Sequence, residues 1–457
     1  MRSAANGSTD RMAPGHPETL TPRWYPLRYH PVQDQLIRSP ARFKVVPAGR
    51  RSGKSERAKR NLVIQGIRET LEGRWQDPRY FFAAPTREQA KAIAWNDLKA
   101  LIPRYMMDGP PRETDLMIRL TIGTEFWVIG LDKPQRMEGR AWNGGVIDEI
   151  ANVKPSAWGE NIRPALSDRD GWCWLIGVPE GRGAYYEWYR YATSGEDSEW
   201  EGFSWLSADI LSAKEIESAR RTLDPGTFDQ EYCASFLVFA GRVYYPFDER
   251  THCAPLPYRA AAPLNICLDW NVEPGTAAIC QEMKLPNGLD GTGVIGEVYI
   301  TRNSTTPAVC RKIIQDWGHH PGPVVCYGDA TGGARGTARV LGSDWDLVRA
   351  ELGPVFGDRL RLKVPAANPP ERARVNAVNS RLMNAAGEIR LMVDPAKAPH
   401  VVKDFEGVRL LEGGSGEIDK KADPMLSHLT DSIGYMVARE FPIATRKATV
   451  AAYAIHG

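Results

Sequence analysis

The stretch Phe43-Lys44-Val45-Val46-Pro47-Ala48-Gly49-Arg50-Arg51-Ser52-Gly53-Lys54-Ser55 decides how the first half of the chain is read. A short β-branched run leads into a loop of small residues, and Lys54 and Ser55 open a segment of helical composition. The spacing is that of a phosphate-binding loop, Ala-x-x-x-x-Gly-Lys-Ser, with Ala48 where a glycine usually stands. Small residues from Ala48 through Gly53 let successive backbone N–H groups face phosphate oxygens at the positive end of the following helix. Lys54 then reaches the β- and γ-phosphates, and the Ser55 hydroxyl can ligate Mg²⁺, so the expected cofactor is ATP with Mg²⁺. The plain alternative is a basic surface turn before a helix; the strand–loop–helix context argues against it.

Working outward, 457 residues exceed one ordinary core and predict two domains. A formal charge of +2 means that any nucleic-acid contact must come from local basic patches. The seven cysteines contain no C-x-x-C pair, which argues against a disulfide framework or a zinc site and for a reducing compartment. No apolar run approaches membrane-spanning length, and the first residues lack a signal-peptide pattern. Residues 1–22 are expected to be a disordered arm, 23–247 a first domain with a helical lid region, 248–263 a Pro- and Ala-rich linker, and 264–457 a second domain.

Within 23–247, strands alternate with helices, which predicts a largely parallel sheet. Gln33, just upstream of the loop, is a candidate for hydrogen bonding a purine, or else part of an ordinary helix start. Gly145-Val146-Ile147-Asp148-Glu149 is an apolar strand ending in two acids. Asp148 is expected to hold Mg²⁺ and Glu149 to polarise the attacking water. Arg140, with Arg136, Arg50 and Arg51 as rivals, is a candidate to stabilise charge on the transferred phosphoryl group. The strand Cys173–Val178 ends at Gly177-Val178, where helicase-like ATPases place a phosphate-sensing Ser or Thr. The coupling residue is therefore unassigned.

After Pro263 the pattern changes. Leu264–Asp269, Thr276–Met283 and Gly296–Thr301 read as three antiparallel strands, followed by a helix and the strand Val324–Asp329, again an apolar strand ending in an acid. That order is the order of an RNase H-like fold, in which the first and fourth strands are neighbours. Asp269 and Asp329 are thus expected at one sheet edge, with Asp431 joining them from a C-terminal helix. Three clustered carboxylates repel one another and call for Mg²⁺ or Mn²⁺. Asp423 is a rival to Asp431, Glu297 and Asp344 are possible auxiliaries, and Arg335, Arg372, Arg374, Lys420 and Lys421 are candidates to grip DNA phosphates or else solubilising charges. Each acid alone also reads as a solvated strand-end or helix-surface carboxylate.

The residues Ala48–Ser55, Val146–Glu149, Leu264–Asp269, Tyr327–Asp329 and His428–Tyr435, taken in this order, resemble the large terminase subunit of tailed bacteriophages. The fold expected is α/β: an N-terminal P-loop ATPase domain, then an RNase H-like nuclease domain. The resemblance implies a DNA-packaging motor and a two-metal endonuclease that cuts concatemeric double-stranded DNA. It implies a small terminase subunit and the portal protein of a procapsid as partners, and a homo-oligomeric ring on that portal. The place implied is the host cytoplasm, with no membrane and no presence in the mature virion. Two other readings stay open: a helicase–nuclease of repair or restriction, and a nucleotide-gated scaffold that only binds DNA.

Overall fold

The structure is a computed structural model and describes residues 22–237, 241–270, 273–330, 343–411 and 417–443. The expectations for the N-terminal arm before Pro22 and for Arg335 lie outside them. The chain divides into two compact units: one holds the residues up to Pro179 with Ala184–Ile210, the other Glu180–Gly183 and the chain from Leu211 onward. The fold is α/β with two mixed, mostly parallel sheets.

In the first unit the strands are β1 (Phe43–Pro47), β2 (Arg79–Ala84), β3 (Met117–Arg119), β4 (Glu125–Gly130), β5 (Gly144–Ile147), β6 (Trp172–Gly177) and β7 (Trp200–Gly202). They lie in the order β3-β4-β2-β5-β6-β1-β7. All pairings are parallel except that of β3 with β4. β1 is buried along its whole length, as its apolar run requires for a central strand covered on both faces. The helix Lys54–Leu71 packs Ala58, Leu62 and Val63 into that core. Each large aliphatic side chain buried there contributes about 2 kcal/mol. Gly144 and Gly145 open β5 because no side chain fits: a Cβ would meet the Trp172 ring at 2.3 Å and the Phe81 ring at 2.4 Å. β7 was not legible in the sequence, since three residues give no period to read; it extends the sheet beyond β1.

In the second unit the strands are β8 (Leu264–Asp269), β9 (Gly275–Lys284), β10 (Asp290–Ile300), β11 (Val324–Tyr327), β12 (Leu360–Leu362) and β13 (Leu391–Val393). Their order is β12-β11-β8-β9-β10-β13. β8, β9 and β10 are antiparallel neighbours, and β11 runs parallel beside β8. The expected meander and the expected first–fourth pairing are both present. β10 begins at Asp290 rather than at the expected Gly296. Its glycines look like loop residues in sequence, yet they make room for neighbours: a Cβ at Gly291 would lie 2.5 Å from the Arg390 carbonyl, and one at Gly293 2.8 Å from Met283 Sδ.

The helices Ala213–Thr222 and Pro225–Tyr232 also belong to the second unit. Ile216, Leu223 and Phe228 form a small core that Ala385 joins, and Ala385 N donates to the Leu223 carbonyl at 2.7 Å. The stretch 248–263 lies inside this unit as well. Ala254, Leu256 and Tyr258 pack on the core between the sheet and the helices Thr306–Trp317 and Asp344–Phe356.

Candidate functional site

The phosphate loop is built from backbone left over at the end of β1. Arg51 and Gly53 have φ of 56° and 84°, and Gly53 turns the chain into the helix. A glycine takes that conformation without steric cost, which is why Gly53 precedes Lys54. The loop is braced from several sides. Ala48 N donates to the Gly177 carbonyl at 3.1 Å, and Gly49 N to the Trp205 carbonyl at 3.0 Å. Trp205 Nε1 and Gln33 Nε2 both donate to the Ser52 carbonyl, at 3.0 and 2.9 Å, and Ser207 Oγ donates to the Arg50 carbonyl at 2.7 Å. Ser52 and Lys54 are buried, Gly53 and Ser55 half-buried, and Arg50 and Arg51 exposed. Lys54 Nζ lies back over the loop, 3.4 Å from the Gly49 carbonyl.

Gln33 is engaged by the protein itself. Besides its bond to Ser52, its Oε1 accepts from Arg57 Nε at 2.9 Å. The carboxamide therefore fixes the loop to the helix behind it.

β6 lies between β1 and β5, so Gly177 sits between the strand feeding the loop and the strand bearing the acids. Asp148 is buried and accepts from the Glu149 backbone N–H at 2.9 Å. Glu149 has φ of 53°, a left-handed backbone that is uncommon for glutamate and that clusters at functional sites. A Cβ on Gly177 would sit 3.3 Å from Ile150 N, closer than a side-chain carbon usually comes, so the glycine eases the approach of this strand end to the residues after Glu149. Tyr185, which sequence reading did not single out, is buried here. Burial, then the negative charges of Asp148 and Glu149, push its hydroxyl well above the usual phenol range. Arg140 is exposed, its guanidinium 4.3 Å above the Trp127 ring.

In the second unit the register of β8 and β11 pairs Cys267 with Tyr327. Two residues further along each strand come Asp269 and Asp329, at the same end of the sheet. Asp431 enters from the helix His428–Glu440, and its position is set by a relay of carboxylate caps. Glu297, on β10, accepts from the backbone N–H groups of His400 and Val401 at 3.0 Å and so holds the start of the helix Pro399–Gly407. Asp404 on that helix accepts from the N–H groups of Leu429 and Thr430, at 2.9 and 3.4 Å. This replaces the cap that Ser427, in a left-handed conformation, does not supply.

The three acids influence one another. Burial raises the Asp269 carboxyl above its ordinary value, the His428 hydrogen bond opposes this, and the charges of Asp431 and Asp329 add to it. Tyr435 is likewise raised, by burial and, against the lowering effect of Arg374, by all three of Asp269, Asp329 and Asp431. Asp269 Oδ2 lies 3.0 Å from His428 Nδ1. Burial opposes charge on that imidazole, but the bonds to Asp269 and the Pro424 carbonyl outweigh it and raise its pKa.

Asp431 has two cationic partners: Arg374 Nη2 on Oδ1 at 2.7 Å and Lys420 Nζ on Oδ2 at 3.0 Å. Arg374 is buried, so the expectation that it grips DNA phosphates is overturned; its helix turns it inward. Glu297 is spent on a helix cap rather than on the acid group. Asp344 accepts from Thr306 Oγ1 at 2.6 Å, and Asp423 accepts from Met425 N in the turn before the Asp431 helix. Among the described residues no group of three or more His, Cys, Asp or Glu side chains is disposed to hold a metal. The donor chemistry fits a hard divalent cation all the same: Asp269, Asp329 and Asp431 offer carboxylate oxygens, and their mutual repulsion calls for positive charge. Arg374 and Lys420 supply that charge at Asp431. Asp404 was missed in sequence because a cap offered from 25 residues away leaves no local pattern, and the contact of His428 with Asp269 because it spans 159 residues.

A phosphate-type loop in one α/β unit and a group of acids at the strand ends of the other make a two-part α/β protein. No family model matches the chain. Its relatives in sequence and in fold are large terminase subunits of bacteriophages. The terminase large subunit of Thermus phage G20c is 28% identical over 253 residues, 48% of this chain and 51% of that protein. That of Escherichia phage T5 is 28% identical over 220 residues, 47% of this chain and 48% of that protein. The chain thus spans about half the length of the curated relatives it matches. The large terminase of a thermophilic bacteriophage shares the fold, with a TM-score of 0.56 at 16% identity over 90% of this chain and 99% of that one. A further structure of the same terminase, in complex with ADP, gives a TM-score of 0.54 at 14% identity, again over 90% of this chain and 99% of that one. No described helix is long and apolar enough to cross a membrane.

Proposed function

We propose that this chain is the ATP-hydrolysing motor subunit that moves double-stranded DNA into a phage procapsid, and that it also cuts that DNA. The observation that carries the reading is the pairing, in one chain, of the braced loop Ala48–Ser55 with the group Asp269, Asp329 and Asp431. The resemblance to terminase large subunits in sequence and fold supports it, and the relative from the thermophilic bacteriophage has been seen with ADP.

In the first unit, the loop amides and Lys54 would bind the phosphates of ATP, and Ser55 and Asp148 would hold Mg²⁺. Glu149 would accept the proton of the attacking water. Arg140 would need to leave the Trp127 face to meet a phosphoryl group, in its own subunit or a neighbour of a ring. Arg136, Arg50 and Arg51 remain its rivals.

In the second unit, Asp269, Asp329 and Asp431 would hold Mg²⁺ or Mn²⁺. A pair of such ions supplies an activated water and stabilises the leaving oxygen of a phosphodiester. His428 orients Asp269, and Arg374 holds Asp431 against the sheet. A small terminase subunit and the portal protein are the proposed partners, and the host cytoplasm the proposed place of action.

Two variants separate the activities. Lys54→Ala is expected to lose ATP turnover and keep DNA cutting, and Asp269→Asn to do the reverse. Loss of both activities in either variant, with the fold intact, would contradict the division of labour.

A further inference from the structure

Beside the acid group, the second unit has a cavity of about 530 Å³ that the proposed chemistry does not use. Its walls continue from the elements that carry two of the acids. Tyr327 ends β11, two residues before Asp329, and Tyr435 stands one helical turn after Asp431 on the same helix face. The Arg374 guanidinium, bonded to Asp431, lies 4.6 Å above the Tyr435 ring. One aromatic ring therefore borders the acids on one side and the cavity on the other.

The remaining wall is the segment that follows β12. It contributes Lys363, Pro365 and Asn368, and the helix adds Arg439. Lys363 Nζ donates to Tyr327 OH at 3.2 Å and pairs with Glu440 at 2.6 Å. Arg439 is exposed and donates to the Lys363 carbonyl at 2.8 Å. Asn368 Oδ1 accepts from Ala330 N at 2.7 Å, which pins this wall to the chain just past Asp329.

The part-exposed Tyr435 ring, flat proline and alanine surfaces and two cations form a lining suited to a planar ring joined to an anion. The volume falls within the range of about 300–1,000 Å³ usual for small-molecule sites. Stacking on aromatic side chains and cationic contact with the backbone are how proteins hold single nucleotides of a strand. Glu440, the carboxylate beside these cations, is paired with Lys363, so the anion would face Arg439 and the ammonium N–H that Tyr327 and Glu440 leave on Lys363.

We propose that this cavity receives one nucleotide of the DNA strand being cut, adjacent to the phosphodiester at the acids. Its base would lie against Tyr435, and its phosphate would meet Arg439 and Lys363. The proposal rests on the nuclease reading of the acids and adds a strand-positioning subsite to it.

The test uses the full chain and a dye-labelled single-stranded DNA 12-mer, with binding followed by fluorescence anisotropy in EDTA at several salt concentrations. Lys363→Ala/Arg439→Ala is expected to weaken binding at least tenfold. It should also flatten the dependence of log affinity on log salt by about 0.7 for each phosphate no longer neutralised, with the thermal midpoint unchanged. Affinity and salt slope equal to wild type would overturn the subsite. Asp329→Asn is measured alongside for cutting in Mn²⁺: cutting retained there overturns the nuclease reading, whereas cutting abolished there with unaltered binding by the double variant overturns the subsite alone.

Discussion

Arg374 and Asp431 form a buried ion pair, Nη2 to Oδ1 at 2.7 Å, with both side chains about one-twentieth exposed. Lys420 meets the other oxygen of the same carboxylate from a position that is half exposed. The two cations therefore differ in worth. Removing one partner of a buried pair leaves a charge stranded in a low dielectric, whereas a solvated lysine is replaced by water. Arg374→Met is expected to destabilise the protein by about 3 kcal/mol, and Lys420→Ala by less than about 1 kcal/mol. Denaturant midpoints measure both; equal destabilisation would show that burial does not govern this pair.

Asp404 gives the clearest dependence on pH. Burial pushes its carboxyl up to about 7, against the lowering effect of the Leu429 and Thr430 N–H groups and of His428, with the Asp431 charge raising it further. An unfolded aspartate titrates near 4. The folded state thus binds this proton more tightly, so the contribution of Asp404 to stability is full below about pH 4 and is lost as the pH rises through about 7. His428, also raised, acts in the same direction over its own range. Asp404→Asn keeps an oxygen for the helix N–H groups but cannot ionise. Between pH 4 and pH 8 the variant is expected to gain roughly 2–4 kcal/mol relative to wild type. Parallel stability curves for the two proteins would rule out this titration.

The sequence made the loop and the two acids of the first unit readable because they are local. Ala48–Ser55 and Val146–Glu149 each carry their spacing within a few residues. The pairing of β8 with β11 was also legible, since three antiparallel strands followed by a helix leave few places for the next strand. What escaped was tertiary. Trp205 and Ser207 brace the loop from more than 150 residues away, and β7 is too short to show a period. Asp404 looks in sequence like any polar residue on an amphipathic helix. Arg374 looked like a surface cation because nothing local reveals that a Cβ at Gly434 would sit 2.7 Å from its Cγ, a packing that holds the arginine inside.

Glu149 tests the first unit. Its backbone strain costs on the order of 1–3 kcal/mol, which persists only where the surroundings impose it. Glu149→Gln is expected to lower ATP turnover by about 10²- to 10⁴-fold while nucleotide affinity stays within a few fold, as read by steady-state hydrolysis and by titration with a fluorescent ATP analogue. Turnover at the wild-type rate would remove Glu149 from the reaction.

The nuclease reading stands most directly on Asp329, the acid that β11 brings level with Asp269. The measurement is plasmid cleavage by the purified full chain in Mn²⁺, in Mg²⁺ and in EDTA, for wild type and Asp329→Asn. Wild type is expected to cut with a divalent cation and not in EDTA, and the variant not to cut at all, with its ATP hydrolysis intact. Cutting that survives in Asp329→Asn, or that proceeds in EDTA, would contradict the assignment of these acids.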